Sequence, residues 1–176
     1  MMKFLASIGF LTIVAMIAIA AFFFGGFFNV AATAKDPDIV NWALVRFRQA
    51  SIARHADEKP PLSLDDAKIV RDGARAYSER GCVHCHGAPG VEWSKFSEGL
   101  NPDPPDLKDV AAERDPRDLF WTIKNGIKMT GMPGFATAGV PDPEIWSITA
   151  FLKKLPTIKP EDYKAWSAPP VVTPVR

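Results

Sequence analysis

Cysteine is scarce in this chain: two in 176 residues, too few to build a framework of disulfides. Neither sign of charge is in excess. Twenty-one lysines and arginines against twenty aspartates and glutamates leave a formal net charge of +1. That removes the basic surplus expected of a nucleic-acid binder and the acidic surplus of a solvating tail. No nucleophile–base pair and no glycine-rich phosphate loop can be read from the sequence. Between Phe4 and Phe28 charge is missing altogether. What remains is 47% hydrophobic and 23% charged, a composition without global disorder and a length that suits one ordinary domain with appendages.

The uncharged run, FLASIGFLTIVAMIAIAAFFFGGFF, exceeds the roughly 20 residues needed to cross a hydrocarbon core. It is read as a signal anchor, because a cleavable signal peptide carries an apolar region of only about 7–15 residues. The A-x-A-like ATA ending at Ala34 keeps cleavage open as the alternative. The order that follows is an anchor over 1–34, a connecting helix and linker over 35–61, a domain over 62–156 and a Pro-rich tail over 157–176. In the connecting segment Asp36 is expected to cap a helix reaching about His55, with Pro37 at its first position. Ile39, Trp42, Val45 and Ile52 would form its apolar stripe, beside Arg46, Arg48 and Arg54. The helix either packs on its own domain or rests on lipid headgroups or a membrane partner. His55 is read as a surface residue, and Pro60 and Pro61 close the linker.

Both cysteines and two of the three histidines fall in RGCVHCHGAPG, residues 80–90. Cys82, Cys85 and His86 match C-x-x-C-H, the pattern of covalent c-type haem attachment. Two thiols three positions apart can both reach the vinyl-derived carbons on one side of a porphyrin, which brings the next imidazole beneath the iron and makes His86 the proximal ligand. His84, inside the loop, is read as a partly exposed bystander. A thioredoxin-like dithiol would want an alternating strand–helix context, which is missing, and a zinc site would need a fourth ligand from a chain with no other cysteine; both stay as lesser alternatives.

The surroundings agree with that reading. Ser63 and Asp66 in capping-box spacing open a helix with Ile69, Gly73 and Tyr77 on one face and a stop at Gly81. Asp115 and Pro116 open a second, with Leu119, Phe120 and Ile123 as its apolar face and Gly126 as its stop. Asp142 and Pro143 open a third, which buries Trp146, Ala150 and Phe151 and ends in Lys153 and Lys154 before Pro156. Between the last two helices, GIKMTGMPGF offers two thioethers suited to iron. Met132, flanked by Gly131, Pro133 and Gly134, is the stronger candidate for the second axial ligand, and Met129 is read as core or rim filler.

With helix, C-x-x-C-H, loop, helix, Met loop and terminal helix in this order, residues 62–156 resemble a class I cytochrome c. The strings CHGAPG, LNPDPPDL, FWTIKNGIKMTGMPGF and IWSITAFLKKLP resemble a subgroup of small, membrane-anchored bacterial monohaem cytochromes. The resemblance implies an all-α, class I cytochrome c fold behind an N-terminal transmembrane helix and a short connecting helix. It implies one covalent haem c, thioether links at Cys82 and Cys85, axial ligands His86 and Met132, and first and last helices crossing near Trp146 and either Gly73 or Ala74. It further implies that the Pro105 carbonyl accepts from Nδ1–H of His86, and that the domain is periplasmic on the inner membrane.

The expected activity is carriage of single electrons, without enzymatic turnover, between redox proteins such as a membrane oxidase, a quinol-oxidising complex or a periplasmic dehydrogenase. Nucleic acid is not an expected partner. The alternatives are an obligate subunit of a larger oxidoreductase and, further off, a five-coordinate haem enzyme or sensor. Lys124 and Lys128, in a stretch without acids between Asp118 and Asp142, are expected to steer an acidic partner unless they merely solvate the surface; Lys153 and Lys154 are the next candidates.

Overall fold

The computed structural model describes residues 2–61 and 63–168. Two compact units divide the chain after Lys35. The first is helix α1, Met2–Phe24, whose stretch Lys3–Phe24 is long and apolar enough to cross a bilayer. At about 1.5 Å per residue it measures on the order of 33 Å, close to the thickness of a hydrocarbon core. The helix stops short of the sequence expectation: Gly25 and Gly26 form a turn, so Phe27 and Phe28 lie beyond its end.

The second unit is all-helical, with no strand among its described residues. It holds α2 (Asp38–His55), α3 (Ala67–Glu79), the short α4 (Val83–His86) and α5 (Leu107–Val110), α6 (Pro116–Asn125), α7 (Asp142–Lys154) and α8 (Pro160–Ser167). Helix α7 is central. Ile145 through Leu152 are all buried, and its two buried hydroxyls, Ser147 and Thr149, donate to the Pro143 and Ile145 carbonyls at 3.0 and 2.9 Å. Burial therefore leaves neither hydroxyl unpaired. Phe120 of α6 stacks on Trp146 with ring centroids 4.0 Å apart. On the other side Phe151 lies 5.2 Å from Tyr77 of α3 and 5.8 Å from Tyr163 of α8.

The α3–α7 crossing resolves which small residue sits at the contact. A Cβ on Gly73 would lie 1.9 Å from the Ser147 carbonyl oxygen, so the two backbones touch there and only glycine fits. Ala74, fully buried beside it, packs as a side chain.

Several local expectations shift. The cap of α3 is Asp66, whose carboxylate accepts from the amides of Lys68 and Ile69 at 2.7 and 3.3 Å; Ser63 is three residues too early to serve. Helix α2 begins at Asp38 after Pro37, without a side-chain cap, so Asp36 stands outside it. Helix α7 likewise follows Pro141 without a side-chain cap, and Asp142 is its first residue. Asp115 caps α6 as expected, accepting from the Arg117 amide, and the Arg117 guanidinium beside it holds its carboxyl down at about 2. The largest departure is beyond residue 156. The Pro-rich tail, expected to be extended and either loose or wrapped over the domain with Tyr163 and Trp166 favouring docking, does dock, but as a helix: residues 160–167 form α8, which packs on α3, buries Tyr163 and sets Trp166 against the core. Pro160 fixes its first turn, and the tail beyond Ala168 lies outside the described residues.

Because the Gly73 contact leaves no room for a methyl group, Gly73→Ala should lose about 1–3 kcal/mol to overpacking, against the gain of roughly 1 kcal/mol that alanine brings in an unconstrained helix. Denaturant titration of the purified protein measures it. A stabilised variant would mean that the helices do not cross at Gly73.

Candidate functional site

The C-x-x-C-H segment is delivered by the way α3 ends. Gly81 takes φ +77°, the left-handed region that favours glycine. Its amide donates to the Ser78 carbonyl at 3.0 Å, and the Cys82 amide to the Tyr77 carbonyl at 3.1 Å. This pair of bonds is a Schellman motif, and it accounts for the four residues between Tyr77 and Cys82. The chain then winds directly into α4, where the His86 amide donates to the Cys82 carbonyl at 3.0 Å. Cys82 and Cys85 stand one turn apart with free, half-buried thiols. Burial is the main cause that pushes the Cys82 thiol up to about 12.

His86 is fixed from outside its helix. Its Nδ1 lies 2.9 Å from the Pro105 carbonyl oxygen. A carbonyl can only accept, so Nδ1 carries the proton and Nε2 keeps its lone pair. Burial lowers the His86 pKa, outweighing the opposing pull of the Pro105 bond, so the neutral imidazole is the favoured form. His84 faces outward and rests 3.3 Å from the Ser94 hydroxyl, as expected of a bystander.

The methionine loop closes on the end of α6. Phe135 and Ala136 donate to the Ile123 and Lys124 carbonyls at 3.1 and 3.0 Å, and Ile127 donates to the Met132 carbonyl at 3.1 Å. Inside the loop Thr130 bridges both arms: its hydroxyl donates to the Ile127 carbonyl at 2.8 Å and accepts from the Met132 amide at 3.1 Å. The threonine two residues before Met132 has the spacing of a side-chain turn, a signal that sequence reading passed over. Met132 is half-buried against the core, whereas Met129 is 97% exposed with φ +57°. Met129 is therefore neither core nor rim filler; it sits at the tip of a tight turn.

Cys82, Val83, Leu107, Leu119, Met132 and Phe135 all pack on the core while remaining partly uncovered. An oriented imidazole, two free thiols one turn apart, a clamped thioether and this incompletely covered apolar lining fit a haem held through Cys82, Cys85, His86 and Met132. The loop before Pro105 reaches the methionine loop, since Leu100 lies against Gly131.

The expected cationic rim takes a different form. The ammonium of Lys124 is bonded to Glu58 at 3.0 and 3.2 Å and to Asp142 at 2.9 Å, and it lies over the Phe120 ring. Flanked by two carboxylates, it is a structural tie, and only Lys128 of the pair stays exposed. Of the next candidates, Lys153 donates to the Ala112 and Arg114 carbonyls and Lys154 pairs with Asp65. Acids distant in sequence thus cancel a charge that looked isolated.

Residues 68–152 match the family described as cytochrome C oxidase, cbb3-type, subunit III. No curated protein matches the chain. Among solved structures, a chain of a reducing HAO-like protein complex from Kuenenia stuttgartiensis is similar, with 22% identity and a TM-score of 0.43 over 58% of this chain and 52% of that one. The chain thus spans about half the length of that structure's chain.

Tyr77 supports the C-x-x-C-H segment from beneath. Its buried hydroxyl donates to the Gly87 carbonyl at 2.8 Å, and burial raises its pKa, which keeps the proton in place. Tyr77→Phe should cost about 1–3 kcal/mol, because the Gly87 carbonyl is left buried without a donor. Thermal unfolding of the haem-loaded variant checks this; an unchanged midpoint would mean that the bond contributes nothing.

Proposed function

With a c-type cytochrome domain as the premise, we propose that this protein is a membrane-anchored, periplasmic monohaem cytochrome that carries single electrons and performs no catalysis of its own. The observation that carries the reading is the Nδ1–Pro105 bond of 2.9 Å, which commits His86 to offering Nε2 as a ligand and makes the ring a stronger donor. Haem c, when bound, supplies a one-electron Fe(III)/Fe(II) couple. The chain's own residues do the rest. Cys82 and Cys85 would fasten the group, and His86 and Met132 would hold the iron from opposite faces. Protein ligation on both faces leaves no open position for a substrate, which separates a carrier from a haem enzyme. A thioether as second ligand raises the potential, and the Thr130 bridge limits how far the Met132 backbone can move away.

A second reading, an obligate subunit of a larger membrane oxidoreductase, is favoured by the family match over residues 68–152, whose description is that of an oxidase subunit. Purification in mild detergent separates the two: a carrier runs alone, and a subunit brings further haem or copper proteins with it.

Met132→Ala should abolish the far-red sulfur-to-iron absorption band of the oxidised protein and admit carbon monoxide to the reduced iron. Met129→Ala should change neither. Loss of the band in the second variant alone would reverse the ligand assignment. For the anchor, the expected result is a mature chain that stays in the membrane fraction and retains residues 4–24 by mass spectrometry. An N-terminus at Lys35 in a soluble fraction would identify a cleaved signal instead.

A further inference from the structure

Met132 is held by its backbone on both sides, and the two sides are held differently. Its carbonyl accepts from the Ile127 amide at 3.1 Å, a bond between main-chain groups that no side-chain change deletes. Its amide donates to the Thr130 hydroxyl at 3.1 Å, so that restraint depends on one side chain. The same hydroxyl donates to the Ile127 carbonyl at 2.8 Å. With amide and carbonyl both tied, the direction of the Met132 Cα–Cβ bond is set, and with it the reach of the thioether. The turn closed in this way is strained. Among the described residues Met129 is the one non-glycine with positive φ, at +57°, where Cβ crowds the following carbonyl oxygen. Packing does not impose that conformation: Met129 is 97% exposed, and Lys128 beside it is exposed too. What imposes it is the closure of the loop across Met129, by the Ile127–Met132 bond at the neck and by the Thr130 hydroxyl within. Strain of this kind persists only where the surroundings over-determine it, and it collects at functional sites.

We propose that Thr130 is a positioning residue for Met132 that works against the strain at Met129: its hydroxyl is the catch of a sprung loop, and the balance of catch and strain sets how often the thioether leaves the iron. This deepens the reading of Met132 as axial ligand given above and rests on it. Release is a ligand exchange without electron transfer, in which the sulfur leaves with its lone pair and an incoming nitrogen ligand supplies another. Valine at position 130 would keep the shape of threonine and remove both bonds, leaving the Ile127 carbonyl without its donor and the Met132 amide without its acceptor. Met129 would then be free to relax to negative φ, carrying residues 130–132 with it. Glycine at position 129 would remove the strain and leave every hydrogen bond in place. Alanine there would keep the Cβ, and with it the strain, so the two substitutions separate the backbone of Met129 from its side chain.

The test mixes the full-length, haem-loaded, oxidised chain with excess imidazole and follows the loss of the far-red sulfur-to-iron band. Where the rate no longer rises with imidazole concentration, it reports the release of Met132. The proposal expects a limiting rate roughly ten-fold higher in Thr130→Val, for two lost hydrogen bonds, and within about two-fold of wild type in Thr130→Ser, which restores the hydroxyl. Met129→Gly should release roughly three-fold more slowly, the relieved strain being partly offset by the freedom glycine gains when the loop opens. Met129→Ala should behave as wild type. Equal rates in wild type and Thr130→Val, or a serine variant as fast as the valine one, would overturn the role of the hydroxyl. Met129→Gly no slower than Met129→Ala would overturn the role of the strain, and this pair decides the matter even where the valine variant fails to retain haem. A wild-type band that survives in Met132→Ala would instead remove the ligand assignment on which the inference rests.

Discussion

Everything in the second unit is referred to one close approach, the contact of the Gly73 backbone with the Ser147 carbonyl where α3 crosses α7. A single methyl group would prevent it. Because the two helices meet backbone to backbone, the larger residues on either side of the crossing interlock. Tyr77 reaches Phe151 on one side, and Trp146 stacks on Phe120 on the other. The crossing thereby fixes the height at which α3 ends, and the Schellman motif at Gly81 converts that height into the position of Cys82. The C-x-x-C-H segment needs no anchor of its own beyond Tyr77, because it inherits its place from a helix end.

The same economy holds on the methionine side. Helix α6 is pinned to α7 by Phe120, and its last carbonyls, those of Ile123 and Lys124, accept from Phe135 and Ala136. Met132 thus hangs from a helix already placed by the core, with Thr130 closing the loop from within. His86 and Met132 are positioned through opposite neighbours of α7, so a disturbance of that one buried helix reaches both candidate ligands.

The features of the sequence that proved legible are those with short-range causes. The Asp115–Pro116 start and the Gly81 and Gly126 stops each depend on residues within one turn, and all stand where they were expected. The fixing of His86 by Pro105 was legible only through family resemblance, since nothing in composition or spacing joins two residues nineteen apart. Misreadings had three physical origins. Ser63 and Asp66 are both good caps, and the choice between them depended on where the apolar face had to start. Helix α8 was hidden by prolines that, at Pro160, begin a helix rather than break one. The cationic rim failed because Lys124 was judged against its neighbours in sequence, whereas Glu58 and Asp142 reach it through the fold.

That Lys124 site shows how a modest electrostatic term can matter for geometry. Exposed ion pairs contribute little stability, commonly below about 1 kcal/mol. Lys124, however, is only 24% exposed in its side chain, meets two carboxylates at once and lies 5.3 Å from the Phe120 ring centroid. It joins three parts of the molecule: Glu58 beyond the end of α2, Asp142 at the start of α7, and α6 itself. Its own backbone carbonyl holds Ala136 at the edge of the methionine loop. The residue that seats the connecting helix on the domain is thus the residue from which part of that loop hangs. Orientation of α2 and the support of Met132 are in this way constrained through one side chain and its backbone, which ties the connecting helix to the candidate ligand loop without requiring direct contact between them.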